Sequence, residues 1–283
     1  MAGREVTFTA DDFGLSIAVN EAVEDAHRRG VLDAASLMVA GPAAEDAVAR
    51  AKLLPDLQVG LHIVAVEGPC VLPYAELRAI AGPDGRLPPQ QVELAFRYAM
   101  SRQAREQLAR EIRAQFAAFA ATGLTLGHAD AHKHMHLHPV VGTTVIGTGR
   151  EFGLTRLRVP AEPPAVMRAC GERPTFGDRA LHAWTGWLRT AARRAGLQTT
   201  DHCFGLRWSG HVTAERLTLL ARHLPPGSSE IYLHPATGRA PELARWMLGY
   251  EHEAEYRALL DPEVARAFGR AARIGATRAA TAS

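Results

Sequence analysis

Short apolar runs alternate along the chain with stretches in which apolar residues recur every three to four positions. This is the pattern of successive βα units, which build a parallel sheet or barrel. The runs predict strands at about 5–10 (EVTFTA), 35–40 (ASLMVA), 57–63 (LQVGLHI), 124–129 (LTLGHA), 154–159 (LTRLRV), 202–207 and 230–234 (EIYLH). The periodic stretches predict helices over roughly 16–29, 43–53, 88–121, 140–152, 177–195, 213–223 and 240–269. The expectation is one α/β domain over 1–283, a distorted TIM-like (β/α) barrel of about seven βα units, with an Ala/Arg/Thr tail after about 270. Two longer connections, 64–87 and 160–176 (PAEPPAVMRACGERPTF), read as lids or binding loops.

Composition narrows the class. With 283 residues, 47% hydrophobic and 22% charged, there is ample material for a core, which excludes a disordered chain. A net charge of +2 gives no field that argues for nucleic acid. Three cysteines are too few for a disulfide framework or a thiolate zinc site, so a reducing cytoplasm is the expected compartment. The N-terminus enters a strand without an apolar leader, and no stretch approaches 18 apolar residues, so a soluble protein is expected.

The chemistry gathers at predicted strand ends. The first strand ends in TADDFG, where Asp11 and Asp12 are neighbours; if both face a site, a cation or a raised pKa must offset their repulsion, and otherwise they form a turn or a helix cap. The third ends in VGLHIV with His62, and the last in YLHPATG with His234. Between them HADAHKHMHLHP, residues 128–139, packs five of the 13 histidines beside Asp130 and one of two lysines, Lys133. In a βα barrel such edges converge on one mouth, where Asp11, Asp12, His62, His132 and His234 would meet. Two imidazoles and a carboxylate with open positions make a catalytic divalent-metal site. In an extended segment His128, His132, His134, His136 and His138 would share a face over roughly 33 Å, so at most one or two reach an ion. The others would support ligands, touch substrate or pack, or the stretch is simply a solvated His-rich loop.

TADDFGLS, VGLH, HADAHKHMHLHP, LRVP and YLHPA together resemble, in order and spacing, the YdjC-like carbohydrate deacetylase family. GLHIVAVEGPCVLP, AHKHMHLHP and RVPAEPP are most similar to its branch associated with hopanoid biosynthesis. The resemblance implies a βα barrel, a divalent metal held by Asp12, His62 and His132, Asp11 as general base and His234 as general acid. It further implies that Arg158 of LRVP holds the base, by looser likeness to related polysaccharide deacetylases. His128, His134 and His136 remain alternative ligands, and Lys133, His134 and His136 are candidate substrate contacts. The implied reaction removes an N-acetyl group from an N-acetylglucosaminyl hopanoid, with soluble chitooligosaccharides as the alternative. Zn or Mg is the expected metal, with Mn, Ni and Co tolerated by such donors. A non-haem iron oxygenase shares the two-His, one-carboxylate set, but the spare carboxylate favours hydrolysis; a barrel that binds sugar or lipid without turnover is opposed by Asp11 and His234.

The stretch GDRALHAWTGWLRTAARRAG offers a membrane contact. Trp184, Trp187, Leu188 and Ala191 share a helical face, with Arg189, Arg193 and Arg194 largely outside it. Such a helix lies on an anionic membrane surface, covers a groove for a polycyclic tail, or buries its tryptophans against the sheet. The partner expected is an N-acetylated glycolipid, met by peripheral contact at the inner membrane surface. Oligomeric state is not readable.

Overall fold

The computed structural model describes residues 3–269 and 272–273; most of the tail expected after about 270 lies outside them. Its centre is a parallel sheet of β1 (Arg4–Phe13), β2 (Ala34–Leu37), β3 (Gln58–Ile63), β4 (Ala129–Ala131), β5 (His202–Phe204) and β6 (Gly227–Leu233). They run in the order β4-β3-β2-β1-β6-β5, and Ala272–Arg273 also pairs with β1. Along β1 the alternate residues Val6, Phe8 and Ala10 are fully buried, and Phe8 meets Phe268 of the helix Pro262–Phe268 edge-on. The intervening Thr7, Thr9 and Asp11 are buried and polar, so one face of β1 feeds an apolar core and the other a polar interior.

The expected barrel of about seven βα units is a curled half-barrel of six parallel strands along that path. Residues 154–159, expected as a strand, make only isolated bridges, Ala129 with Leu157 and Arg156 with Gln198. The strand expected at 124–129 lies at 129–131, so it offers just three residues to pair with, and Pro160 supplies no further N–H. The helix expected over 88–121 splits into Gln91–Met100 and Arg102–Ala121 at Ser101, whose extended backbone and side chain cap the second piece through the Ala104 N–H. The pattern over 240–269 breaks into Pro241–Trp246, His252–Leu260 and Pro262–Phe268, two of them opened by proline.

Both long connections are ordered at the strands' C-terminal side. Residues 64–87 form a small antiparallel pair, Gly68–Pro69 with Arg86–Leu87, and a short helix, Tyr74–Leu77. Polar side chains on the buried face of Arg102–Ala121 hold it. Glu111 accepts from the Val71 and Leu72 N–H groups, Gln107 from Ala79, and Gln115 bonds both backbone groups of Val64. The other connection contains the helix Pro164–Ala169.

The helix Phe176–Arg194 differs from its expected apolar face. Its buried stripe is Thr185, Leu188 and Ala192, spaced by three and four, and Trp187 packs partly onto the core. Trp184 sits at the shoulder, 48% exposed, stacked on Trp187 and donating to the Leu137 carbonyl at 2.9 Å.

Candidate metal centre and active site

The tip of β1 carries the unusual geometry. In a regular strand Asp11 and Asp12 would point to opposite faces. Here the pairing with β2 slips between Ala10 and Phe13, and Asp12 takes a left-handed backbone (φ 61°). Such a conformation costs a non-glycine residue about 1–3 kcal/mol and occurs where surrounding structure enforces it. The enforcement is visible: the Leu15 N–H bonds the Asp12 carbonyl, and the Gly14 N–H bonds Asn20, which is itself tied to Ala43 and Asp46. The bulge turns both carboxylates inward.

Asp12 Oδ1 lies 3.3 Å from His62 Nε2 and 3.2 Å from His132 Nδ1, with all three residues buried. Burial alone would raise the Asp12 carboxyl, but His132 and His62 hold it well below the usual carboxylate range. His62 is aimed by Asp130, its partner in the β3–β4 register, whose Oδ1 lies 2.7 Å from His62 Nδ1. Burial opposes protonation of His62, yet Asp130 and Asp12 outweigh it and push the imidazole up to about 10.

Asp11 faces the other way. Arg158 donates to both of its oxygens, at 2.7 and 2.8 Å, and also reaches Asp130 and Glu230 at 2.7 and 2.8 Å. Arg158 is fully buried, with its guanidinium over the Tyr232 ring. Burial pushes Asp11 up to about 6 against the pull of Arg158. This bidentate contact gives the two adjacent carboxylates different partners.

The histidine cluster is not extended. After β4 it coils as a short 3-10 turn, His132–Leu137, with left-handed Lys133 and His134 (φ 51° and 53°). The rings go to different places. His128 meets Ser36, which also donates to Asp130, and its ring fills the space that a side chain at Gly60 would occupy, a built Cβ there lying 2.4 Å from it. His136 is fully buried against the Arg158 carbonyl, and His134 bonds the Tyr232 hydroxyl at 2.8 Å. Burial keeps all three of these rings neutral-leaning, with His136 down at about 4. His138 is partly buried and faces Tyr98, and Lys133 pairs with Glu67 of the 64–87 connection.

His234 follows β6 and stands between the Tyr232 and Tyr250 rings, at 5.7 and 5.1 Å. Its Nδ1 is buried without a hydrogen bond, 3.8 Å from Glu255 Oε2. Burial pushes it down to about 3.

The sequence from 5 to 270 matches the family described as YdjC-like protein. The chain belongs to the YdjC-like family. It is 37% identical over 155 residues, 55% of its length, to a protein of Brevibacillus brevis named carbohydrate deacetylase, and 35% identical over 150 residues, 52% of its length, to one of Vibrio cholerae. Those alignments span only 57% and 56% of the two relatives. A Geobacillus stearothermophilus protein of the same name is 30% identical over 89% of this chain and 88% of its own. A solved structure from Enterococcus faecalis, a proposed cellobiose-phosphate cleavage protein, superposes with TM-score 0.76 over 96% of this chain and 97% of its own. At 20% identity it speaks for the fold alone.

The donors of this YdjC-like chain suit a divalent cation. Asp12 Oδ2 and His132 Nε2 are buried with no partner, and the ligand atoms of Asp12, His62 and His132 lie within 4.8 Å of one another. Two other groupings, Asp11 with His62 and Asp130, and His128 with Asp130 and Glu230, are as compact. Their charge, however, is already met by Arg158 and Ser36. Three buried carboxylates, Asp11, Asp130 and Glu230, share one arginine and a fourth, Asp12, lies beside His62 and His132, an excess of negative charge that a cation would offset. Asp130, Glu230, Tyr232 and Glu255 were not among the sequence candidates; for Asp130 the signal lay in ADA, where it precedes His132 by two.

Proposed function

We propose that this chain is a metal-dependent carbohydrate deacetylase, which hydrolyses the N-acetyl group of an N-acetylglucosamine-type sugar to acetate and the free amino sugar. The observation that carries the reading is the split at β1: Asp12 faces two imidazoles while Asp11 faces a buried arginine. The names of the relatives, the Geobacillus one above all, support the same reaction class. Residues 1–283 act as one domain.

Asp12, His62 and His132 would hold the ion, Zn or Mg, with Mn, Ni or Co accepted by the same donors. When bound it supplies a Lewis acid that acidifies water and polarises the acetyl carbonyl. Asp11 takes the proton of the attacking water, and Arg158 fixes its carboxylate for that transfer. His234 gives a proton to the sugar nitrogen as the C–N bond breaks, since an amine anion is too poor a leaving group to depart alone. Lys133 and His134 would meet sugar hydroxyls, and His136 holds the Arg158 carbonyl.

For the substrate we favour an N-acetylglucosaminyl hopanoid. The motif resemblance supports it, as do apolar side chains left exposed, Trp184 against the cluster and Leu248 (89% exposed) two residues past Trp246, whose ring neighbours His132. Among the described residues no helix is long and apolar enough to cross a membrane, so the contact proposed is peripheral. Mass spectrometry of N-acetylglucosaminyl hopanoid and diacetylchitobiose, each incubated with the enzyme with and without a chelator, is the test. Acetate release that the chelator abolishes and added metal restores is expected, fastest on the hopanoid. Turnover of chitobiose alone would make the substrate a soluble oligosaccharide, and turnover of neither would remove the deacetylase reading.

A further inference from the structure

We propose that Glu255, on the helix His252–Leu260, is the positioning residue of the proton donor: its carboxylate aims the His234 ring and stabilises its imidazolium form. The inference rests on the deacetylase reading and extends it to a residue outside every motif of the sequence.

Glu255 has no exposed surface, although its helix otherwise buries Ala258 and Leu259. A buried carboxylate with no task is expensive, and an apolar residue would pack there at lower cost. Its oxygens are oriented by two backbone donors, Val212 N–H at 2.9 Å to Oε1 and the N–H of His234 itself at 2.5 Å to Oε2. Oε2 thus stands 3.8 Å from His234 Nδ1, a buried nitrogen with no hydrogen bond. The same segment grips residue 234 twice more: His252 Nδ1 is 2.6 Å from the His234 carbonyl oxygen, and Tyr250, tied to Ser209, packs on the ring. His234 is 12% exposed although Nδ1 is buried, so its opening lies on another part of the side chain.

A histidine that donates from Nε2 must carry a second proton on Nδ1, and Glu255 is the acceptor placed for it. In the transfer the sugar nitrogen gains the Nε2 proton, the C–N bond breaks, and a neutral imidazole remains with its Nδ1–H toward Glu255. Burial raises Glu255 to about 8 and lowers His234 to about 3, so between those values one proton is bound and it rests on the Glu255 carboxyl, from which His234 Nδ1 draws it in the donating form. The other charged groups facing the pair are Asp11 and Asp12 of β1, His62 of β3, His132, and Glu251 and His252 of its own segment.

The test uses the full-length, metal-loaded enzyme and compares Glu255→Gln, Glu255→Asp, His234→Ala and the double variant Glu255→Gln/His234→Ala. Each is assayed on diacetylchitobiose and on 4-nitrophenyl acetate, whose leaving group departs without a proton. Glu255→Gln is expected to lower kcat on the amide roughly 100-fold, with KM within about threefold and ester turnover nearly unchanged. Glu255→Asp should recover part of the loss, and Glu255→Gln should add nothing in the His234→Ala background. Equal losses on amide and ester, or a full further loss in the double variant, overturn the proposal. If Glu255→Gln does not fold, Glu255→Asp carries the same comparison, and 15N NMR titration of His234 should show a lower pKa than in wild type; an unchanged pKa overturns it. A wild type inactive on every N-acetyl sugar removes the deacetylase reading and this inference with it, whereas an active wild type indifferent to Glu255 removes this inference only.

Discussion

His62, buried, and His234, mostly buried, both sit at the ends of strands on the same sheet, yet their surroundings push them in opposite directions. Asp130 at 2.7 Å and Asp12 at 3.3 Å raise His62 to about 10, so that corner calls for positive charge. His234 has a carboxylate at 3.8 Å whose oxygens already accept backbone N–H groups, and burial wins, taking it down to about 3. Burial is common to both; the distance and prior commitments of the carboxylate decide the outcome. On the proposed function, one side would hold a cation and the other would lend a proton and recover it.

The strongest way to break this contrast is to remove the cation corner. Asp12→Ala or His62→Ala should strip the metal, read by elemental analysis after dialysis, and lower kcat at least about a thousandfold, the several kcal/mol a Lewis acid contributes. Asp11→Asn should keep the metal and lose about 10²- to 10⁴-fold in kcat. Near-normal turnover by a metal-loaded Asp11→Asn would end the assignment of Asp11 as base. Between these extremes lies Asp130→Asn, which leaves every direct donor in place. Loss of the contact that aims His62 should weaken metal affinity about 10- to 100-fold, with activity returning at excess metal.

The proposed metal residues also mark how far the sequence could be read. Asp12, His62 and His132 stand at strand ends that apolar runs predict, and the structure brings their donor atoms together. Arg158 was visible in LRVP, but its segment is not a full strand, because β4 is too short to pair with it at length. Asp130 stood in ADA, two residues before His132, but its pairing with His62 depends on the register His62↔Asp130, which lies outside any local pattern. The left-handed Lys133 and His134 likewise carry no glycine or asparagine signal, so the extended reading of the cluster failed where its backbone turns. Glu255 was hidden in an amphipathic stretch, where a charged residue reads as solvated until the helix is docked.

The proton-lending side permits a finer test, in stability rather than turnover. In the unfolded chain Glu255 and His234 release protons near 4.5 and 6.5, whereas in the fold the pair releases them near 3 and 8. Between about 3 and 4.5 the unfolded state holds two protons and the folded state one, so stability rises with pH there. Between 4.5 and 6.5 both states hold one proton and the contribution is flat. Between 6.5 and 8 the folded pair keeps a proton that the unfolded chain has lost, and stability falls as pH rises, by on the order of 1–2 kcal/mol. Glu255→Gln leaves only the lowered His234, whose contribution rises up to about 6.5 and is flat above it. Because His62, raised to about 10, lowers both proteins' stability over this window, urea midpoints of metal-free wild type and Glu255→Gln, measured at pH 6.5 and pH 8.5, should converge at the higher pH through a steeper fall in the wild type. Parallel midpoints across that window would show that Glu255 titrates like an exposed glutamate, and the contrast with His62 would then rest on distance alone.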